Sequence, residues 1–437
     1  MTTDTYHECL DTIYRLGRFG IKLELDTISN ILKFLNFPQK NYHIVHVAGT
    51  NGKGSTATYI ASILQKAGFK TGLYTSPHLI KFNERFCING QMISDDQVVD
   101  AYKAVDSVDI GKRKATFFEI ATAMAFYYFA QENVEWAVIE TGMGGRFDAT
   151  NVIVPQVSVI TNLSIEHTDY LGNTIKDLAR EKGGIIKHNT PVVTGVFQPS
   201  GIEVLKRLAK ENSADLYQYK HDFSVRKDLN RETYSYSGLY QTFEHLTKPL
   251  PGDHQKENLS LALAACELIF KKFRSSDKRY RLDQSLVRDG LAIACWPGRL
   301  EHIMQDPLVI IDGAHNLHAA KLLGKYLSKN LKDKKLTLVL GILDDKPYDK
   351  MLGYLIPCAQ NIIITKAKID RSLEPEVLKK AVRKISQCPV TIIEDVKDAV
   401  THAVQISDKA DAVCIAGSLY VAGEARDELL RLKKSRT

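Results

Sequence analysis

The chain has no Cys-x-x-Cys pair. Its seven cysteines (Cys9, Cys87, Cys266, Cys295, Cys358, Cys388 and Cys414) are scattered and odd in number. That pattern speaks for reduced thiols packed as small apolar residues, and so for a cytoplasmic setting. The opening MTTDTYHECLDTIY has neither a basic n-region nor an apolar h-region, so no secretory leader is expected. The most apolar helical stretch, Ala121–Ala130, is shorter than the ~20 residues a bilayer requires, so no membrane partner is expected. A basic stripe with interleaved aromatics is also missing. Net charge is only +7, from 58 basic and 51 acidic residues, and the local run RLKKSRT reads as a solvated tail. Nucleic acid is therefore not an expected partner, whereas a mild positive bias suits an anionic small substrate. There are no repeats of about 20–50 residues and no low-complexity segments. What remains is a chain of 437 residues, 44% hydrophobic and 25% charged, with an ordinary globular composition and too long for one domain. A monomer acting on small molecules is the expected state.

The chain does show an alternation of strands and helices. TYHECLDTIYRLG and LDTISNILKFLNF have helical spacing, YHIVHVA reads as a buried strand, and STATYIASILQKAG as the helix after it. KTGLYTS, VEWAVIETG, VSVITNLS and TPVVTGV read as strands, with helices near residues 115–131 and in TIKDLAREKGGIIK. Residues 214–241 are polar and tyrosine-rich with alternation, which predicts a small antiparallel strand set, followed by the helix HQKENLSLALAACELIFKKF. CWPGRLEHI looks like a hinge. After it the rhythm restarts with PLVIIDGAHN, KLTLVLGIL, NIIIT, PVTII and DAVCIAGSLY. The expected fold is α/β. Residues 1–296 form a P-loop, doubly wound, mostly parallel sheet domain with the small antiparallel set, and residues 297–437 form a smaller Rossmann-like domain. A ligand is expected in the cleft between them.

HVAGTNGKGS (His46–Ser55) follows the strand YHIVHVA directly. Gly49, Gly52 and Gly54 let backbone amides turn toward phosphate oxygens, Lys53 reaches the outer phosphates, and Ser55 places a hydroxyl near metal or nucleotide. The spacing departs from G-x-x-x-x-G-K-[ST]: Val47 takes the first glycine's place and Gly54 follows Lys53. A tight strand-to-helix turn with a solvated lysine would read the same way. In VIETGMGGRFDATN, Glu140 ends a buried strand ahead of Gly142, Gly144 and Gly145, where a nucleotide's Mg²⁺ is held or where a carboxylate orders a loop. His167 lies just past the next strand, a metal or phosphate contact or a structural histidine. Lys182 near a helix end complements the helix dipole without needing a function. Asp312 and His315 in DGAHN and the acidic turn in GILDDKPYDKM sit at strand ends of the second domain. Ser418 marks a strand-to-helix turn whose amides suit a carboxylate.

The blocks HVAGTNGKGS, TSPHL, ETGMGGRFDATN, EHTDYLG, REKGGIIK, HQKEN, WPGR and DGAHN, in this order, resemble the folylpolyglutamate synthase/dihydrofolate synthase family within the wider group of Mur ligases. The resemblance runs from RFGIKLELDTI to GSLYVAGE, and the extra glycine after Lys53 is this family's form of the loop. It implies an ATP- and Mg²⁺-dependent amide ligase whose substrates are L-glutamate, ATP and a folate or dihydropteroate. By that correspondence the loop Gly49, Thr50, Asn51, Gly52, Lys53, Gly54 and Ser55 holds the triphosphate, with Asn258, Arg299 and Asp312 as further nucleotide contacts. Ser76 and Glu140 hold one Mg²⁺ and His167 helps hold a second. Lys182 matches a lysine that the family carbamylates into an anionic metal or phosphate contact. The pterin-bearing substrate meets Thr116, Phe117, Phe118 and Glu119, and Phe147, Asp148 and Ala149. Glutamate meets His315 and Ser418. Lys53, Glu140, His167, Lys182 and His315 form the implied catalytic set, and domain closure about Trp296–Arg299 brings glutamate up.

Two positions depart from the family pattern. Glu24, in KLEL, stands where a glycine is usual near the pterin, and Gly183 stands where alanine is usual, which should loosen the helix end after Lys182. Two other readings remain at this point. One is the same ligase chemistry on a UDP-muramyl peptide, disfavoured by TSPHL and TFFE. The other is a silent ATP-binding protein, disfavoured by the intact Lys53, Glu140, His167 and Lys182.

Overall fold

Eight strands build the larger sheet: β1 His43–Ala48, β2 Thr71–Tyr74, β3 Phe86–Ile88, β4 Gln91–Met92, β5 Trp136–Glu140, β6 Val157–Ile160, β7 Val192–Thr194 and β8 Leu216–Gln218. Their order is β4-β3-β2-β5-β1-β6-β7-β8, parallel from β2 to β8 and antiparallel only where β3 and β4 join the edge. β5, β6 and β7 are buried at every position, as expected of parallel strands covered on both faces. The covering helices have matching sequences: Lys53–Lys66, Phe117–Gln131 and Gln255–Phe273 are apolar almost all round and buried along most of their length. β1 lies between β5 and β6, with Val47 beside Glu140 and Ala48 beside Ile160. That register delivers Gly49, Glu140 and Thr161 to one edge of the sheet.

This computed structural model describes residues 5–16, 24–108, 114–228, 233–247 and 250–436. Of the KLEL segment, Lys22 and Leu23 lie outside the described residues; Glu24 is exposed just ahead of the helix Asp26–Phe34. The chain divides into two compact units, Met1–Pro249 with Gln255–Cys295, and Leu250–His254 with Trp296–Thr437.

The antiparallel set is β9 Ser224–Lys227, β10 Tyr234–Ser237 and β11 Thr242–Leu246. The expectation that it begins near residue 214 needs correcting: Leu216–Gln218 is instead the parallel edge strand of the large sheet, reached through the helix Pro199–Glu211, which the sequence pattern did not reveal. The buried Glu267 carboxylate pins the hairpin. It accepts the Tyr236 hydroxyl at 2.7 Å and the amides of Leu239, Tyr240 and Gln241 at 2.7 to 3.0 Å, so the charge is buried with its hydrogen bonds made.

The second unit carries β12 Glu301–Met304, β13 Leu308–Ile311, β14 Leu336–Leu340, β15 Asn361–Ile364, β16 Val390–Ile392 and β17 Ala412–Ala416. Their order is β12-β13-β17-β14-β15-β16, parallel except for β12. Part of the segment read as a hinge is therefore strand β12. Ile310, Leu338, Leu340, Leu352, Ile362 and Val382 share its core. Among the described residues no helix is long and apolar enough to cross a membrane, and all seven cysteines are free thiols.

Candidate active site

The loop after β1 is held in two different ways along its length. Thr50 donates its amide to the Asn162 carbonyl and Asn51 donates its amide to Asn162 Oδ1, both at 3.0 Å. Further on, the first bond of the helix Lys53–Lys66 runs from the Thr56 amide to the Gly52 carbonyl at 2.9 Å. The amides of Gly52, Lys53, Gly54 and Ser55 precede that bond and have no intrahelical acceptor, which makes this helix start suited to an anion. Gly52 takes φ +83°, and a Cβ there would stand 2.3 Å from Asn258 Oδ1, so no other residue fits without displacing Asn258. Asn258 in turn donates to Gln255 Oε1, and Gln255 donates to the Ser55 hydroxyl at 3.2 Å, leaving that hydroxyl's own proton to donate.

Two lysines and two acids gather around this loop. Lys53 lies 3.9 Å from Glu140 Oε1 and reaches the Thr50 carbonyl at 3.4 Å. The other oxygen of Glu140 accepts the Ser76 main-chain amide at 3.1 Å, so the two residues are neighbours. Lys182, 1% exposed, donates to the Gly49 carbonyl at 2.9 Å and faces Glu166 Oε1 at 3.4 Å. Burial pulls its pKa down to about 8. Lys53 pushes the same way, and Glu166 opposes both. His167 is exposed, in the left-handed region at φ +49°, where it begins the short helix Thr168–Leu171; its neighbour Glu166 is the residue that faces Lys182. Among the described residues no three His, Cys, Asp or Glu side chains converge on one point.

Lys182 is carried there by contact between two main chains. Arg146 donates its amide to the Glu181 carbonyl at 2.7 Å, and Cβ atoms at Gly145 and Gly184 would meet the opposing backbone at 2.7 and 2.4 Å. Gly183 closes the helix end against neighbouring side chains. The space of its missing methyl is taken by Leu208 and Leu205, which would stand 2.5 and 3.0 Å from a Cβ, and the turn from Glu181 to Ile186 keeps its backbone bonds.

On the side assigned to the pterin acid, the residues divide into scaffold and surface. Thr116 donates its amide and hydroxyl to Glu119 at 2.8 Å and accepts the Glu119 amide, so this buried pair caps the helix Phe117–Gln131. Asp148 commits both oxygens to its own loop, accepting the Met143 amide at 2.8 Å and the Thr150 amide and hydroxyl at 3.0 and 2.5 Å. Burial raises its pKa against those bonds. Behind it the buried His46 Nε2 meets the Thr150 hydroxyl at 2.8 Å. That hydroxyl gives its proton to Asp148, so Nε2 is the donor. Ala149 is core. The rings are the surface. Phe117 stacks on the partly exposed Tyr14 at 5.9 Å with Arg85 5.0 Å from its centroid, Phe118 lies against Gly142, and Phe147 lies under Arg146.

In the second unit, Asp312 follows β13 and Ser418 lies just past β17, on adjacent strands. Asp312 is buried, accepts the Leu300 amide at 2.8 Å, and has its pKa raised by burial against the pull of Arg299. Arg299 donates to the Gly313 carbonyl at 3.2 Å, the same carbonyl that His315 Nδ1 meets at 2.9 Å. Ser418 accepts the Tyr420 amide at 3.2 Å and so caps the helix Leu419–Arg436.

Sequence reading missed several partners: Glu166 beside Lys182, Thr161 and Asn162 behind the loop, Gln255 beside Ser55, and the Glu301–Arg426 pair, whose carboxylate also accepts the Gly298 amide. Glu166 and Gln255 lay inside quoted blocks, one residue from His167 and three from Asn258.

The family described as Mur ligase middle domain matches residues 47–266, and that described as Mur ligase, glutamate ligase domain matches residues 298–419. The dihydrofolate synthase/folylpolyglutamate synthase of Bacillus subtilis is 35% identical, over 97% of this chain and 99% of its own. Among solved structures, E. coli FolC in complex with DHPP and ADP superposes with TM-score 0.89 at 27% identity, covering all of both chains. The bifunctional folylpolyglutamate synthase/dihydrofolate synthase of Yersinia pestis complexed with AMPPNP and Mn ion superposes with TM-score 0.86 at 28% identity, covering 98% of this chain and 99% of that one. With a phosphate-type loop, an adjacent acid and a buried lysine at one sheet edge, and with this full-length likeness, the chain belongs to the folylpolyglutamate synthase/dihydrofolate synthase family of Mur ligases.

Proposed function

We propose that this chain is an ATP-dependent ligase that adds L-glutamate to the γ-carboxylate of reduced folates, with dihydropteroate as a second acceptor. The observation that carries the reading is the convergence of Lys53, Glu140 and buried Lys182 on the loop Gly49–Ser55. An acceptor carboxylate and a triphosphate repel each other. The helix start at Gly52–Ser55 and the Lys53 ammonium reduce that repulsion while holding the γ-phosphate for in-line attack. The acceptor's carboxylate oxygen bonds to the γ-phosphorus as the bond to ADP breaks, giving an acyl phosphate. The amine of L-glutamate then attacks the acyl carbonyl, loses a proton, and inorganic phosphate leaves.

The donor set fits Mg²⁺, which commonly takes one or two carboxylates and completes its shell with phosphates and water. Glu140 and the Ser76 hydroxyl would hold one ion, and Glu166 and His167 would border a second. When bound, the ions supply charge neutralisation on the phosphoryl oxygens. As an ammonium, Lys182 cannot be a ligand. Its lowered pKa supports the proposal that it carries a carbamate, because only the neutral amine takes up carbon dioxide. In the second unit, His315 and the turn at Ser418 receive glutamate, and Arg299 and Asp312 contact the nucleotide. The rings of Phe117, Phe118 and Phe147 suit a flat pterin. The seven free thiols support a cytoplasmic setting.

ADP release measured with dihydropteroate, tetrahydrofolate or a UDP-muramyl peptide, each with L-glutamate, tests this reading. Release is expected with the two pterin acids and not with the peptide; release that needs no acceptor would remove the ligase assignment.

A further inference from the structure

The nucleotide loop is shaped by the segment that leaves β6 as well as by its own glycines. The Asn51 carbonyl accepts two hydrogen bonds, from the Thr161 hydroxyl at 2.7 Å and from Asn162 Nδ2 at 3.0 Å. Asn162 also takes the Asn51 amide on Oδ1 and the Thr50 amide on its carbonyl, both at 3.0 Å. The Thr50 hydroxyl and Ser164 close the set, exchanging bonds of 3.1 and 3.0 Å. The Asn162 amide cannot be turned over, because its oxygen must face an N–H and its nitrogen a carbonyl. Thr161 is fully buried, and its hydroxyl lies so close to Gly49 that a Cβ there would stand 1.8 Å from Oγ1.

A trans peptide is planar, so its C=O and the following N–H point in opposite directions. Two donors that draw the Asn51 carbonyl toward β6 therefore turn the Gly52 amide away from β6. They also keep a carbonyl dipole from facing an anion. We infer that Thr161 and Asn162 are positioning residues that set the facing of the Asn51–Gly52 peptide and thereby present the Gly52 amide to the phosphates of the bound nucleotide. The inference rests on the nucleotide reading above.

Calorimetric titration of ADP into the full chain, alongside the KM for ATP, tests it. T161V keeps the shape of the side chain and removes the donor; T161S restores it. N162D keeps the acceptor for the Asn51 amide and sets a carboxylate against the Asn51 carbonyl. T161V and N162D should each bind ADP about tenfold more weakly and raise the KM for ATP with kcat little changed, while T161S binds like the parent chain. If T161V fails to fold, N162D carries the same test. Equal ADP affinity in the folded variants, with only a lower melting temperature, would overturn the inference, as would T161S binding as weakly as T161V. A parent chain that does not bind ADP would instead overturn the nucleotide reading. One that binds ADP without acceptor-dependent turnover would overturn the ligase reading and leave the positioning role standing.

Discussion

The carboxyl edges of the two parallel sheets use polar residues differently. In the first unit the edge concentrates charge: Lys53, Glu140, Lys182 and Glu166 gather in space around the loop Gly49–Lys53, and Lys182 has almost no contact with water. In the second unit Asp312, Arg299, His315 and Ser418 hydrogen-bond to main-chain groups, at Leu300, Gly313 and Tyr420. On the proposed reading the first edge neutralises the phosphates, while the second holds glutamate through His315 and Ser418 and adds Arg299 and Asp312 toward the nucleotide. Doubly wound sheets supply the location in both, and the side chains decide the task.

If this contrast holds, the largest loss should come from the first edge. Lys182→Ala is expected to lower acceptor-dependent ADP release by about a thousandfold, with partial recovery in added acetate. Full activity would break the contrast at its strongest point. Lys53→Ala should cost about a hundredfold or more in turnover with little change in melting temperature, since a cation in the first turn opposes the helix dipole and its nearest acid stands 3.9 Å away. His315→Ala should instead raise the KM for L-glutamate about tenfold and leave ADP affinity alone. A change in ADP affinity with an unchanged KM for L-glutamate would take His315 out of the glutamate site. The smallest effect concerns stability. Burial holds His46 at about 3, against an ordinary 6.5. Between those values the unfolded chain binds a proton that the folded chain does not, so stability rises with pH across the window and the gain is complete above it. His46→Gln should flatten that rise, by up to about 1.4 kcal/mol per pH unit, in melts taken between pH 4 and 7; an unchanged slope would show that His46 does not set it.

Much of this was legible in the sequence because short motifs sit at strand ends. The loop His46–Ser55 and Glu140 could be placed once the alternation of strands and helices was seen; the order of blocks carried the family, and Lys182 drew its role from that resemblance alone. Long-range partners were not legible. Asn162 grips Asn51 from 111 residues away and Thr161 from 110, through strand pairing that no local pattern encodes. The polar groups of Thr116, Glu119 and Asp148 point to the pterin in a motif reading, yet the fold commits them to capping and loop closure. The edge strand Leu216–Gln218 looked like part of a hairpin because its polar alternation suits either pairing.

The crossing of Gly145 and Gly184 acts as a gauge block. Where two peptide backbones touch with nothing interposed, their separation is set by atomic radii, and no choice of neighbouring side chain can widen or narrow it gradually. The place from which the Lys182 stem starts is therefore a fixed dimension of the molecule, and what can be retuned at this centre is left to the side chain that spans from there to Gly49.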